Sequence, residues 1–148
     1  DIINGIQNIS LKGRLEEIKS GKLKTIAGNN RLIVDGGHNI SASLSIANWI
    51  KNQNQEVNLI VGMMKDKEHI EFIKAFENIV NSITLIDIPN QDGAISKEDL
   101  ESKLNDLNLN IKRSQSIESA IKSLSKNENT ITVCIGSLYL AGEILKLN

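Results

Sequence analysis

Leu32-Ile33-Val34-Asp35-Gly36-Gly37-His38-Asn39 decides how this chain is read. The apolar tripeptide reads as a strand, and Ser41 to Lys51 reads as an amphipathic helix. The five residues between them form a strand–turn–helix junction. Two glycines let the backbone turn sharply and let another group come close to it. Asp35, His38 and Asn39 then stand at the C-terminal end of a parallel strand, the edge where open α/β sheets bind ligands. The pentapeptide has a plainer reading too, as a turn in which Asp35 and Asn39 bond to backbone and Asn39 caps the helix.

Working outward, the chain alternates between strand and helix. Upstream, Leu11 to Ile18 reads as a strand, with a hairpin through Gly21 into Leu23-Lys24-Thr25-Ile26. Downstream, strands are predicted at Asn58 to Val61, Ile83 to Ile88, Leu109 to Ile111 and Thr130 to Ile135. Helices are predicted at Lys67 to Asn78, from Ser96 onward, at Ser116 to Ser125, and from Gly136-Ser137 to Leu147. Leu44, Ala47 and Ile40 are expected on the buried side of the first helix, and Ile70, Ile73 and Phe76 on that of the second. Leu100, Leu104 and Leu107 make the stripe of the third, where Ser96-Lys97-Glu98-Asp99 has the form of a capping box. Such alternation implies an α/β fold, a mostly parallel sheet covered by helices on both faces. Right-handed connections then bring the strand ends to one edge.

Composition supports this frame. A chain of 148 residues suits one domain with one core. Aromatic residues are only 3%, so Ile, Leu and Val must build that core. The net charge is -1 without any block of like charge, which gives no support for nucleic-acid or membrane-surface binding. The lone Cys134 sits in an apolar run and reads as buried and inert. No apolar run approaches the ~20 residues of a membrane span, so a cytoplasmic setting is the default. The opening Asp1-Ile2-Ile3-Asn4-Gly5 does not look like a natural start, and a piece of a longer protein is expected.

Three strand ends carry glycine and polar side chains together: Asp35-Gly36-Gly37-His38-Asn39, Gly62-Met63-Met64-Lys65-Asp66-Lys67 and Gly136-Ser137-Leu138-Tyr139. Here a family resemblance becomes specific. The first stretch resembles the Asp-Gly-Ala-His-Asn motif of folylpolyglutamate synthases, including the bifunctional dihydrofolate synthases. Gly13-Arg14 resembles their upstream Gly-Arg signature. The second stretch resembles their Gly-x-x-x-Asp-Lys loop, and the third, with Leu140, their Gly-Ser-Leu-Tyr segment. These enzymes belong to the Mur ligase superfamily. The resemblance implies that residues 1–148 form a single C-terminal domain, a Rossmann-like three-layer domain that closes over a separate ATP-binding domain. Gly37 replaces the usual Ala, which reads as a small change. Ile40 and Lys12 replace common prolines.

No Gly-x-x-x-x-Gly-Lys-Ser/Thr loop occurs in the chain, so the phosphate cradle is absent here. By resemblance it lies on the N-terminal ATPase domain, as do the metal ligands, and no metal site is expected in this chain. ATP and Mg²⁺ would be bound mainly by that missing domain, and the isolated domain is expected to be inactive. The family reaction is ATP-dependent amide formation, in which a folate or dihydropteroate carboxylate becomes an acyl phosphate and the amine of L-glutamate attacks it. On that resemblance Arg14 would reach ATP phosphates, and Asp35 would bind the nucleotide at its ribose hydroxyls. The plainer alternatives are a surface strand residue and a turn residue bonded to backbone.

His38 would serve catalysis. Neutral, it would take a proton from the amine; charged, it would offset phosphate charge. Asn39 is a cap before it is a ligand contact. By resemblance the loop of Lys65, Asp66 and Lys67 would line the cleft, although Asp66 near a helix start also reads as a cap. Ser137 would hold the glutamate carboxylate or simply cap the last helix. His69 is read as exposed or packing, and Trp49 and Tyr139 as packing. The competing functions are a peptidoglycan Mur ligase C-terminal domain, a non-catalytic Rossmann-like binding module, and a scaffolding domain with vestigial loops.

Overall fold

The computed structural model describes residues 14–148. Its strands are β1 (Glu16–Ile18), β2 (Arg31–Val34), β3 (Val57–Val61), β4 (Ser82–Leu85), β5 (Ile111–Arg113) and β6 (Ile131–Ile135). Its helices are α1 (Lys22–Ala27), α2 (Ile40–Lys51), α3 (His69–Lys74), α4 (Lys97–Lys103), α5 (Ile117–Leu124) and α6 (Leu138–Leu147). The strands form one sheet in the order β1-β2-β6-β3-β4-β5. All neighbours are parallel except β1, which runs antiparallel to β2. The predicted α/β architecture is thus the observed one. Gly13 and the part of the first predicted strand before it lie outside the described residues.

Side-chain alternation along the strands builds two cores, one on each face. Ile33, Leu59, Val61, Leu85, Val133 and Ile135 pack under α2, α3 and α4. Leu32, Val34, Ile60 and Cys134 pack under α1, α5 and α6. Among the described residues no helix is long and apolar enough to cross a membrane.

Several local expectations are corrected. Leu23 to Ile26 is not the second arm of a hairpin but most of α1. Leu23 and Ala27, four residues apart, bury one face of this helix. Its start is capped from the far end of the chain. Asn148 Oδ1 accepts from the Leu23 N–H at 2.9 Å, and Asn148 Nδ2 donates to the Ser20 carbonyl. The buried stripe of α2 is Ala42, Ser43, Ile46, Ala47 and Ile50. Leu44 is 59% exposed and Ile40 is exposed as well. Small residues let this face lie close to the sheet and turn Leu44 away from it. In α3 Ile73 is buried as predicted, as is Phe76 just beyond its end, but Ile70 is exposed. β5 starts two residues late because Ile111 pairs with Ile83.

The capping signals fare better. Asn39 Oδ1 accepts from Ala42 N, and Ser96 accepts from Asp99 N. A reciprocal capping box at α5, between Ser116 and Ser119, was not singled out in the sequence.

Cys134 lies on the central strand and is fully buried, as its sequence context predicts. Burial pushes its thiol from an ordinary 9.0 up to about 12. The unfolded chain therefore loses this proton first, and stability declines as pH rises between those two values. The expected slope is about 1.4 kcal/mol per pH unit more than in Cys134→Ala. Denaturant midpoints of both proteins at several alkaline pH values check this, and parallel pH profiles would refute it.

Candidate active site

β2, β6 and β3 lie side by side, so their end loops meet. After β2 and β3 the chain leaves to α2 and α3 on one face. After β6 it leaves to α6 on the other. Connections diverging from neighbouring strands open a crevice at their carboxyl ends.

Backbone contacts fix the spacing of the three loops. The Gly136 N–H donates to the Gly37 carbonyl at 3.1 Å, and the Gly62 N–H donates to the Ile135 carbonyl at 3.4 Å. Gly136 has φ +115, and a Cβ there would collide with the Gly62 carbonyl oxygen. Glycine meets both demands.

The result is a cleft of about 310 Å³ lined by His38, Met64, Asp66, Lys67, Ser137 and Tyr139. His38 is half-buried, with Nδ1 at 3.2 Å from the Gly36 carbonyl. A carbonyl only accepts, so Nδ1 carries the proton and a neutral ring keeps its lone pair on Nε2. Ser137 is buried at the N-cap of α6 and accepts from the Tyr139 N–H at 3.0 Å. Asp66 reaches the cleft and is not a helix cap, because α3 begins after Glu68. Lys65 is exposed and lies outside the cleft lining; its N–H donates to the Gly93 carbonyl. Asn39 is exposed and serves as the cap of α2.

The buried Asp35 bonds to backbone N–H groups, as the plainer reading of the turn expects. Its Oδ1 accepts from the Gly37 N–H at 2.6 Å and its Oδ2 from the Leu15 N–H at 3.0 Å. Arg14, next to Leu15, is exposed. It adjoins the β1 end that pairs with the end of β2, Glu16 opposite Val34, and so lies at the same edge. Gly37 is also more tightly placed than the sequence implies. A Cβ there would meet Ala42 Cβ at 2.7 Å and Asp35 Oδ1 at 2.9 Å, so replacing the family's usual Ala is not a small change in this chain.

Lys67 lines the cleft, as the resemblance of its loop implies. Sequence reasoning missed two features. Tyr139 is 45% exposed and lines the cleft rather than packing in the core. His69 is buried, and its Nε2 donates to the Met64 carbonyl at 2.8 Å, bracing the loop that carries Asp66 and Lys67. The spacing from Met64 to His69 was the available signal, but nothing local showed that the loop folds back. Among the described residues no three His, Cys, Asp or Glu side chains group as metal ligands.

A family model described as "Dihydrofolate synthetase, C-terminal domain" matches residues 19–147. The chain belongs to the dihydrofolate synthetase C-terminal domain family. It is similar to a probable dihydrofolate synthetase of Schizosaccharomyces pombe, 22% identical over 97% of this chain and 36% of that protein. The fold resembles folylpolyglutamate synthase of Thermotoga maritima, with TM-score 0.74 and 20% identity over 90% of this chain and 30% of that one. It also resembles the bifunctional folylpolyglutamate synthase/dihydrofolate synthase of Yersinia pestis solved with AMPPNP and Mn ion. There the TM-score is 0.74, with 19% identity over 95% of this chain and 32% of that one. The chain thus spans about a third of the length of these relatives.

The geometry makes Gly136 the least replaceable of the site glycines. Gly136→Ala is expected to destabilise the domain by about 2 kcal/mol or more, from φ strain plus backbone overlap. Denaturant unfolding of the variant checks this, and an unchanged midpoint would show that the loops have slack.

Proposed function

We propose that this domain is the C-terminal part of an ATP-dependent ligase that joins L-glutamate to dihydropteroate or folate through an acyl phosphate. The observation that carries the reading is the meeting of three motif-bearing loops at one cleft in a chain of this family. The family match favours the folate branch over peptidoglycan Mur ligases. The convergence of these loops on one cleft also argues against a scaffolding domain, whose loops need not meet.

ATP and Mg²⁺ would be held mainly by an N-terminal ATPase domain, where the resembling enzymes carry the phosphate loop that this sequence lacks. The contribution of this chain would be charge, orientation and exclusion of water at the acyl phosphate. Arg14, exposed at the strand edge, suits a phosphate, because a guanidinium forms paired charge-assisted bonds. Lys67 adds a second cation beside the cleft.

His38 keeps Nε2 free while Gly36 holds Nδ1. That arrangement suits proton removal from the glutamate amine as it attacks. Asp66 and Ser137 would orient the amino acid, Asp66 toward its ammonium and Ser137 with the α6 N-terminus toward a carboxylate. Lys65 and Asn39, lying outside the lining, would shape the loops instead. A cytoplasmic setting fits such a reaction.

The full-length chain, assayed with ATP, Mg²⁺, glutamate and dihydropteroate or a folate, tests the reading. Arg14→Ala is expected to lower kcat/KM for ATP about ten- to a hundredfold, the worth of one lost charge-assisted contact. Wild-type kinetics in that variant would return Arg14 to the role of a surface residue. His38→Ala is expected to lower kcat on the order of a hundredfold with little change in KM for ATP, as loss of a proton acceptor should. Steady-state series that vary ATP and glutamate separately measure it. A loss that falls wholly on KM for ATP would take His38 out of the proton-transfer step.

A further inference from the structure

We propose that His69 is a positioning residue for Asp66, holding the turn that presents this carboxylate to the cleft through a bond to the Met64 carbonyl. The proposal rests on the reading above in which Asp66 receives the ammonium of glutamate. Three observations carry it. First, the imidazole stands behind the cleft wall. His69 is 3% exposed and absent from the lining, to which Met64, Asp66 and Lys67 of the same loop belong. Its Nε2 lies 2.8 Å from the Met64 carbonyl oxygen. A carbonyl only accepts, so Nε2 carries a proton and donates.

Second, that bond closes a ring with Asp66 inside it. The chain leaves Met64, turns through Lys65, Asp66, Lys67 and Glu68, and returns at His69, the first residue of α3. Closing the ring fixes the two ends of the turn against each other, so the residues between have fewer conformations open to them. A capping side chain often orders such a junction. Glu68, at the N-cap position, makes no side-chain cap bond, and His69 joins the helix to the preceding loop instead.

Third, the two ends are rooted in different parts of the molecule. Upstream, the Ile95 N–H donates to the Met63 carbonyl at 3.0 Å and the Lys65 N–H to the Gly93 carbonyl at 2.8 Å. Met64 is thereby paired with Ala94, in the segment after β4. Those bonds engage the groups flanking Met64 and leave its own carbonyl to the imidazole. Downstream, the fully buried Phe72 and Ile73 seat α3 in the core. The imidazole joins these two supports, and the carboxylate stands on the turn between them.

The test compares His69→Asn with His69→Gln in the full-length protein, with thermal midpoints to confirm folding. Gln carries its amide nitrogen as many bonds from Cα as the imidazole carries Nε2, and so keeps the donor. Asn falls one bond short and loses it. Positioning predicts that His69→Asn raises KM for glutamate about tenfold while KM for ATP stays put, and that His69→Gln restores KM for glutamate to within about twofold of wild type. Equal KM values for glutamate in the two variants would overturn the proposal, since loss of imidazole packing strikes both alike. If His69→Asn does not fold, His69→Gln decides: a rise of about tenfold in its KM for glutamate overturns the proposal, and a wild-type value supports it.

Asp66→Ala, alone and combined with His69→Asn, separates this proposal from the reading beneath it. Because His69 acts through Asp66, the double variant should have the same KM for glutamate as Asp66→Ala. Multiplying losses would show that His69 acts by another route and overturn the proposal. A wild-type KM for glutamate in Asp66→Ala itself would remove the role given to Asp66, and the positioning of it would fall for that separate reason.

Discussion

The candidate site depends on a missing side chain. Gly136 ends the central strand at φ +115, with its α-carbon against the Gly62 carbonyl and its N–H on the Gly37 carbonyl. Any Cβ would push these loops apart. Because the contact is backbone on backbone, no side-chain rotamer change can relieve it. His38, Asp66 and Ser137 sit on the three loops so joined, and their spacing follows from this approach. The sheet beneath adds rigidity, because β6 is paired along its length on both sides and buried on both faces. Polar chemistry thus stands on an apolar floor that cannot easily yield.

How much was legible follows from where each partner lies in the chain. The carboxyl ends of β2, β3 and β6, the three motif loops and the caps at Asn39 and Ser96 are local features, and these were readable. Helix α1 was not, because its first N–H groups are satisfied by Asn148, 125 positions away. Without that cap, Leu23-Lys24-Thr25-Ile26 alternates well enough to pass for a strand. Leu44 misled for another reason. The period of α2 was right, but Ala42 and Ser43 set which side faces the sheet, and small residues contribute little to an apolar stripe.

The site shows the same division. Which residues gather at the edge was legible, since parallel connections bring strand ends together. What each one bonds to was not. The bond from Asp35 to Leu15 depends on the antiparallel register of β1, and that of His69 to Met64 on a loop folding back. Asp35 is 2% exposed and bonded to backbone, as the plainer reading of the turn allowed, but its distant partner Leu15 could not be read locally. Tyr139 looked like core because it begins a largely apolar helix, yet it lies on the cleft side of that helix.

The size of the cleft gives the last step. Pockets that enclose whole small-molecule ligands run from about 300 to 1,000 Å³. At about 310 Å³ this one is at the lower bound, too small to wrap a nucleotide and an amino acid together. Its lining nevertheless carries an imidazole, a carboxylate, an ammonium and a hydroxyl, more polar groups than so small a pocket requires for one apolar guest. In the reading proposed here, such a surface is one wall of a larger site. In the proposed ligase the opposite wall carries ATP, and the acyl phosphate forms where the two walls meet. Water must be kept from that intermediate, and neither wall excludes it alone. On this view the strand-edge position of Arg14 is a requirement, because a cation buried in one domain would not reach a phosphate bound by the other.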